Sequence, residues 1–154
     1  MKIREVMSRQ AYSCHATDTL DVAARLMWDH DIGAVPVLGA DGKLAGIITD
    51  RDIAMGACFR GLPLASLPVA QHMSRQVFTV TPAHAVEDAE ELMATRQVRR
   101  LPVVGAAGEM LGMITMGDLA RASFGARKKE VDATAVAETV SRIVEARSAP
   151  ALVG

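Results

Sequence analysis

Two short strings hold the residue types best able to do chemistry. Gly46-Ile47-Ile48-Thr49-Asp50-Arg51-Asp52 and Gly112-Met113-Ile114-Thr115-Met116-Gly117-Asp118 share the spacing Gly-x-x-Thr-x-x-Asp. Each glycine closes an apolar strand, where backbone must pass close to something. Each threonine stands where a helix begins, and each aspartate lies one turn inside it. A carboxylate so placed can accept both hydroxyl hydrogens of a ribose. A threonine hydroxyl and the open N–H groups of a helix start can meet a phosphate. The same pattern is also close to a capping box, the threonine capping the helix and the acid reaching back. Repetition does not separate the two readings, because a duplication copies caps as readily as sites, and on the residues alone the cap is the stronger one.

Other reactive residues form no set. His15, His30, His72 and His84 lack a nucleophile or paired acid nearby in sequence, so no catalytic residues are expected. Cys14-His15 offers two metal-ligand types but no further ligands at metal-binding spacing, so no metal site is expected. Cys14 reads as a buried strand cysteine beside a solvated histidine, with redox sensitivity as the lesser alternative. Cys14 and Cys58 lie far apart and outside any Cys-x-x-Cys, which excludes a disulfide scaffold and points to a reducing cytoplasm. A net charge of −1 and 3% aromatic residues argue against nucleic acid as a partner. The N-terminus lacks a signal-peptide core, and no apolar run approaches the ~18 residues of a membrane span.

The elements that position the two strings come from a repeat. Shifted by 66 positions, the sequence matches itself without a gap, and 17 of the 48 positions from Met7 to Ala54 are identical. Chance would not hold one register that long, so the chain is a tandem duplication. Each copy reads as strand (Ala11 to Cys14, Val77 to Val80), helix, strand (Ala34 to Leu38, Arg100 to Val104), turn at Gly42 or Gly108, and strand (Leu44 to Ile48, Met110 to Ile114). A second helix follows near Thr49 or Thr115. Asp18 or Thr19 can cap the first helix. Its apolar face is Leu20, Ala23, Ala24 and Met27, and in the second copy Val86, Ala89, Glu90 and Met93, which is less cleanly apolar. The expected fold is α/β (α+β): tandem β-α-β-β-α units, each with a three-stranded sheet, packed with pseudo-two-fold symmetry. The expected boundaries are 1–62, 63–124, and a linker with an amphipathic helix over 125–154.

In that tail Arg127-Lys128-Lys129 reads as a solvated linker. Val136, Val140, Ile143 and Val144 form one apolar helical stripe, with Glu130 and Asp132 near its start and Arg142 and Arg147 near its end. About 17 residues of helix are marginal alone. This helix needs a surface, its own body or a second subunit, and a homodimer is expected. Pro36 and Pro102 interrupt strand-like runs. A strand containing proline must be an edge or bulged, and its opened edge exposes backbone groups.

These residues resemble the CBS domain family, named after cystathionine β-synthase. The matching elements are Val6-Met7, Ile32-Gly33-Ala34-Val35-Pro36-Val37 and Gly46 to Asp52, repeated as His72-Met73, Val98-Arg99-Arg100-Leu101-Pro102-Val103 and Gly112 to Asp118. The resemblance covers about residues 1–124 and implies a Bateman module, commonly a flat dimer, that senses a ligand without catalysis and needs no cofactor. The implied ligands are AMP, ADP or ATP, with S-adenosylmethionine and NAD also used in the family. In this context the Thr-x-x-Asp strings read as ligand sites, and the opened proline edges as readers of adenine. The family's composite sites imply a site A of Thr49, Arg51 and Asp52 with Val77, Thr79, Val98, Arg99, Arg100 and Pro102. Site B would pair Thr115 and Asp118 with Ser13, Ile32, Gly33, Ala34 and Pro36. Site A has the more basic lining, and Gly117 replaces Arg51 in site B. The alternative is an interaction protein with empty clefts that binds an unnamed protein partner.

Overall fold

The computed structural model describes residues 1–124 and 131–145; Arg127-Lys128-Lys129, Glu130 and Arg147 lie outside them. Ten helices and strands follow the expected order, the second copy without its opening strand, and then add one helix: β1 (Cys14–His15), α1 (Leu20–Asp29), β2 (Ala34–Leu38), β3 (Leu44–Thr49), α2 (Asp50–Arg60), α3 (Val86–Arg96), β4 (Arg100–Val104), β5 (Met110–Thr115), α4 (Met116–Phe124) and α5 (Ala133–Val144). The chain divides into two compact units. Unit one is Met1–Met7, Ala83–Leu101 and Ile114–Gly154, and unit two is Ser8–Pro82 and Pro102–Met113.

The opening strand of each repeat is shorter than expected. β1 pairs in parallel with β2 only at Cys14–Val37 and His15–Leu38. In repeat two only Val80 pairs, as an isolated parallel bridge to Val103, leaving the two-stranded sheet β4-β5. Proline accounts for both. Val80 N–H donates to the Pro102 carbonyl at 3.1 Å, and Val104 N–H to the Val80 carbonyl at 2.9 Å. A strand residue turns its N–H and C=O to the same edge in a parallel ladder, so the next rung upstream would need the N–H that Pro102 lacks. Pro36 stands at the equivalent place. β2 is nonetheless the middle strand of β1-β2-β3, pairing antiparallel with β3 from Ala34–Thr49 to Leu38–Leu44 with a shift between Val37 and Leu38. Pro36 therefore sits in a central strand whose upstream half β1 leaves uncovered, with the irregularity just after it.

The hairpin turns form as read. Gly42 and Gly108 have φ of 74° and 83°, where a side chain would be strained. Thr19 is the residue before α1, but its hydroxyl goes to the Asp21 carboxylate and not to a backbone N–H. Asp18 instead accepts from His15 N–H at 2.7 Å.

In unit two, β1, β2, β3, α1 and α2 share a core that includes Leu20, Ala23, Met27, Val35, Ile48 and Ile53. The 67–73 segment closes it: Leu20 N–H donates to the Leu67 carbonyl and Val69 N–H to that of Asp18. In unit one the corresponding leading segment, residues 1–7, does the same for repeat two. Val86 N–H donates to the Met1 carbonyl and Ile3 N–H to that of His84. Each repeat thus completes its core with the segment that precedes the other repeat in sequence.

α5 packs on α3 and α4. Asp132 caps it, its carboxylate accepting from Thr134 N–H at 3.0 Å. Twelve residues are helical, and the buried row is Val136, Thr139 and Ile143; Val140 and Val144 are 43% and 61% exposed. The docked face is therefore rotated from the expected stripe, because a helix lying across two others buries the i, i+3, i+7 row aimed between them.

Glu90, on the α3 helix that α5 packs against, is 8% exposed, with Oε1 lacking a hydrogen-bond partner. Burial, with Glu87 and Asp132 nearby, pushes its carboxyl above the usual range. A folded-state value raised above 4.5 means that the cost appears as pH rises past 4.5, where the unfolded acid ionises freely. Glu90→Met should therefore raise the melting midpoint at pH 7, recovering about 1–3 kcal/mol, or roughly 2–4 °C for each kcal/mol. The gain should shrink as pH falls below 4.5, which scanning calorimetry across pH would check.

Candidate functional site

Each Gly-x-x-Thr-x-x-Asp string forms a strand-to-helix corner. At Gly46 the close approach is by the protein's own chain. A Cβ there would lie 2.8 Å from the Ser74 carbonyl oxygen and 2.7 Å from Met73 Sδ. Ile47 and Ser74 exchange both backbone hydrogen bonds, at 3.0 and 2.9 Å. The glycine thus lets 73–74 pack beside β3.

The capping box forms in both corners. Asp52 Oδ2 accepts from Thr49 N–H at 2.8 Å and from the Thr49 hydroxyl at 2.7 Å, while Asp52 N–H donates back to Thr49 Oγ1 at 3.2 Å. Thr115 and Asp118 repeat these bonds at 2.8, 2.7 and 3.2 Å. Aspartate is long enough to close the box in both corners. The threonine hydroxyl proton is consequently committed, and the threonine can only accept further. The helix starts are also less open than expected. Asp50 N–H donates to the Gly33 carbonyl at 3.2 Å, Arg51 N–H to Asp50 Oδ1 at 2.8 Å, and Met116 N–H to the Arg99 carbonyl at 3.0 Å.

The second carboxylate oxygen distinguishes the corners. Asp118 Oδ1 accepts from the Arg121 guanidinium, an i, i+3 pair on α4. Met55 occupies the matching position of repeat one, so the Asp118–Arg121 pair has no counterpart on α2. Asp50 adds a further carboxylate to the start of α2. The roles of Arg121, Met55 and Asp50 are absent from the sequence reading, although Asp118 and Arg121 stand at pairing distance on any helix.

The candidate residues gather within each unit. In unit two Ala34 pairs with Thr49, and Gly33 is bonded to Asp50, so both lie against the Thr49–Asp52 corner. Pro36 is two residues along β2. Ser13, Val77 and Thr79 are half-buried and outside β1. A groove of about 350 Å³, lined by Asp52, Gly56, Phe59, Arg60 and His72 among others, opens beside Asp52. In unit one Val98 precedes β4, Arg99 is exposed and bonded to the α4 start, and half-buried Arg100 begins β4. The grouping implied by resemblance crosses the repeats, whereas these bonds join strand and corner of the same repeat.

The remaining reactive groups stay apart. Cys14 is 2% exposed, and burial together with Asp18 pushes its thiol up to about 11, so little thiolate forms at neutral pH. This removes the ground for redox sensitivity. His15 is exposed, and His30 stacks on Tyr12 with ring centroids 3.4 Å apart. Among the described residues no three of His, Cys, Asp and Glu gather to hold a metal, and no helix is long and apolar enough to cross a membrane.

A duplicated β-α-β-β-α unit with one threonine–aspartate corner per copy is the architecture of a CBS domain pair. The chain belongs to the CBS domain family, whose family model matches residues 3–56 and 69–125. It is 37% identical over 118 residues to the CBS domain-containing protein YhcV of Bacillus subtilis, covering 77% of this chain and 82% of that protein. It is 31% identical over 118 residues, with the same coverages, to Hypoxic response protein 1 of Mycobacterium tuberculosis. The structure of the CBS domain pair of protein MJ0100, in complex with 5′-methylthioadenosine and S-adenosyl-L-methionine, superposes with a TM-score of 0.70 at 26% identity, covering 79% of this chain and 94% of that one.

Proposed function

We propose that this chain is a non-catalytic, ligand-sensing regulatory module that binds an adenosine-bearing small molecule at its strand-to-helix corners. AMP, ADP and ATP are the leading ligands, with S-adenosylmethionine and NAD behind them. The observation that carries the reading is the Oδ1 of Asp52, which has no hydrogen-bond partner among the described residues and lies half-buried at a corner held by its capping box, where it can accept ribose hydroxyls. The adenosyl ligands of the MJ0100 pair support the same ligand class.

The residues group by corner. Gly33, Ala34 and Pro36 act with Thr49, Arg51 and Asp52, and Val98, Arg99 and Arg100 act with Thr115 and Asp118. Ser13, Val77 and Thr79 contribute from the opening segments. Phosphate then belongs with the second corner, where Arg99 and Arg100 stand on β4's approach and Arg121 on α4. A second reading is favoured by the capping boxes themselves, which use most of the Thr–Asp hydrogen-bonding capacity: an interaction protein with structural corners and empty clefts.

A panel of AMP, ADP, ATP, S-adenosylmethionine, methylthioadenosine and NAD under thermal denaturation separates the two. A ligand bound only by the folded state at about 100 times its Kd adds about 2.7 kcal/mol. At least one adenosyl ligand should raise the midpoint by several degrees. A midpoint unmoved by every one of them at millimolar concentration would leave the scaffold reading in its place.

A further inference from the structure

The groove beside Asp52 follows α2 away from the corner. Asp52, Gly56, Phe59 and Arg60 stand at i, i+4, i+7 and i+8, on one face of that helix. Eight residues of helix set its two ends about 12 Å apart. The groove, about 350 Å³, is lined from both ends and lies within unit two. Small-molecule sites span about 300–1,000 Å³. Gly56 shapes it: a Cβ there would lie 2.6 Å from His72 Cδ2, so glycine lets the imidazole pack against the helix. His72 Nδ1 donates to the Pro68 carbonyl at 3.0 Å, which fixes the ring.

The ends of the groove differ in chemistry from its middle. At the near end Asp52 Oδ1 is an acceptor with no partner among the described residues. At the far end the exposed Arg60 donates to the Gln71 side-chain carbonyl at 3.1 Å and forms no ion pair among the described residues, so most of its N–H groups stay open. Between them lie Met55 and Phe59, 39% and 78% exposed. An acceptor, an apolar stretch and a cation, in that order, match a ligand with hydroxyl donors, an apolar chain and an anion. An adenosine whose 5′ carbon bears a thioether chain ending in a carboxylate has this order. A polyphosphate does not, because its charges begin beside the ribose and would be laid on Met55 and Phe59, where losing water is unfavourable. Repeat two lacks the arrangement. Moved on by 66 positions, Met55 becomes Arg121, which is turned to Asp118, and Gly56 becomes Ala122; moved back, His72 becomes Val6.

We infer that the α2 groove holds the tail of an adenosyl amino acid, with the ribose at Asp52, the thioether chain on Met55 and Phe59, and the carboxylate at Arg60. This rests on the adenosine reading of the Asp52 corner and gives that corner a specificity. The first corner selects a carboxylate-ended ligand, and phosphate is read at the second by Arg99 and Arg100.

Calorimetric titration of the full chain compares S-adenosylhomocysteine with methylthioadenosine, which has the same adenosyl thioether and no carboxylate. S-adenosylhomocysteine should bind more tightly by about three- to tenfold, as expected for a charge-assisted bond at an exposed site. Arg60→Ala should remove that advantage and leave methylthioadenosine binding unchanged, which also shows the fold to be intact. Arg60→Lys should restore part of it, and ATP should not respond to Arg60→Ala. Equal affinity of the two thioethers for the wild type overturns the proposal, as does an Arg60→Ala loss shared by methylthioadenosine or ATP, or heat from ATP alone. In each of those cases the adenosine reading stands. If neither thioether nor any adenine nucleotide gives heat at millimolar concentration, the adenosine reading itself falls and takes this proposal with it.

Discussion

Arg100→Ala is expected to weaken ATP binding by about tenfold or more and to leave adenosine binding nearly unchanged. A hydrogen bond to a charged group is worth roughly 1.5–3 kcal/mol, and 1.4 kcal/mol is a factor of ten. Adenosine has no phosphate to lose, so only the nucleotide should respond. The aspartates are best tested as Asp52→Asn and Asp118→Asn. The amide oxygen can keep the capping bonds to Thr49 or Thr115, while the amide nitrogen replaces the acceptor aimed outward. Asp52→Asn should weaken both ligands at its corner, because both have ribose hydroxyls to donate. The double variants assign the corners. If Arg100 works with Asp118, as the bond from Met116 N–H to the Arg99 carbonyl favours, the two losses should be non-additive and Asp52→Asn should add independently. Coupling of Arg100 to Asp52 instead would establish the cross-repeat grouping. Equal losses for ATP and adenosine in Arg100→Ala would remove this guanidinium from the phosphate site. Calorimetric titration reads all of these.

Ile143→Ala should be the most damaging single change on α5, costing about 2–4 kcal/mol, or roughly 2–4 °C of melting midpoint for each kcal/mol. Ile143 is buried in the row that packs on α3 and α4, and truncation leaves a void between three helices. Arg142→Ala, one residue away, should cost far less at neutral pH, since the Arg142–Glu91 pair is solvent-exposed. Its effect lies in the acid range. The Arg142 guanidinium, with a bond from the Thr95 hydroxyl, holds the Glu91 carboxyl down to about 2. A folded-state value below the ordinary 4.5 gives stability that is present above 4.5 and lost as pH falls toward 2. Wild type and Arg142→Ala should therefore converge in midpoint across that interval, while the Ile143→Ala deficit persists. Equal deficits for the two variants at pH 7 would mean that the ion pair, and not the apolar row, holds α5.

Some of this was decided by the amino-acid sequence alone. The 66-residue register fixed the order of elements, because apolar periodicity and the Gly42 and Gly108 turns are local properties repeated twice. It also located both Thr-x-x-Asp corners, since a threonine, a helix start and an acid one turn on are set by neighbours along the chain. Pro36 and Pro102 announced that their strands would lose a rung. Which rung depended on the partner strand, and so the shortening of β1 appeared only in the fold. Other features belong to tertiary structure for the same reason: they depend on groups distant in sequence. Glu90 reads as a polar interruption of a helix face and proves to be a buried acid, one oxygen without a partner, on the helix that α5 packs against. Val140 and Val144 match the apolar stripe, but the angle at which α5 crosses α3 and α4 selects Thr139 in their place. Asp52 and Asp118 hold the same place in their capping boxes. Arg121 against Met55, one turn further on, makes one carboxylate committed and the other open, and the direction of two side chains in space decides that difference.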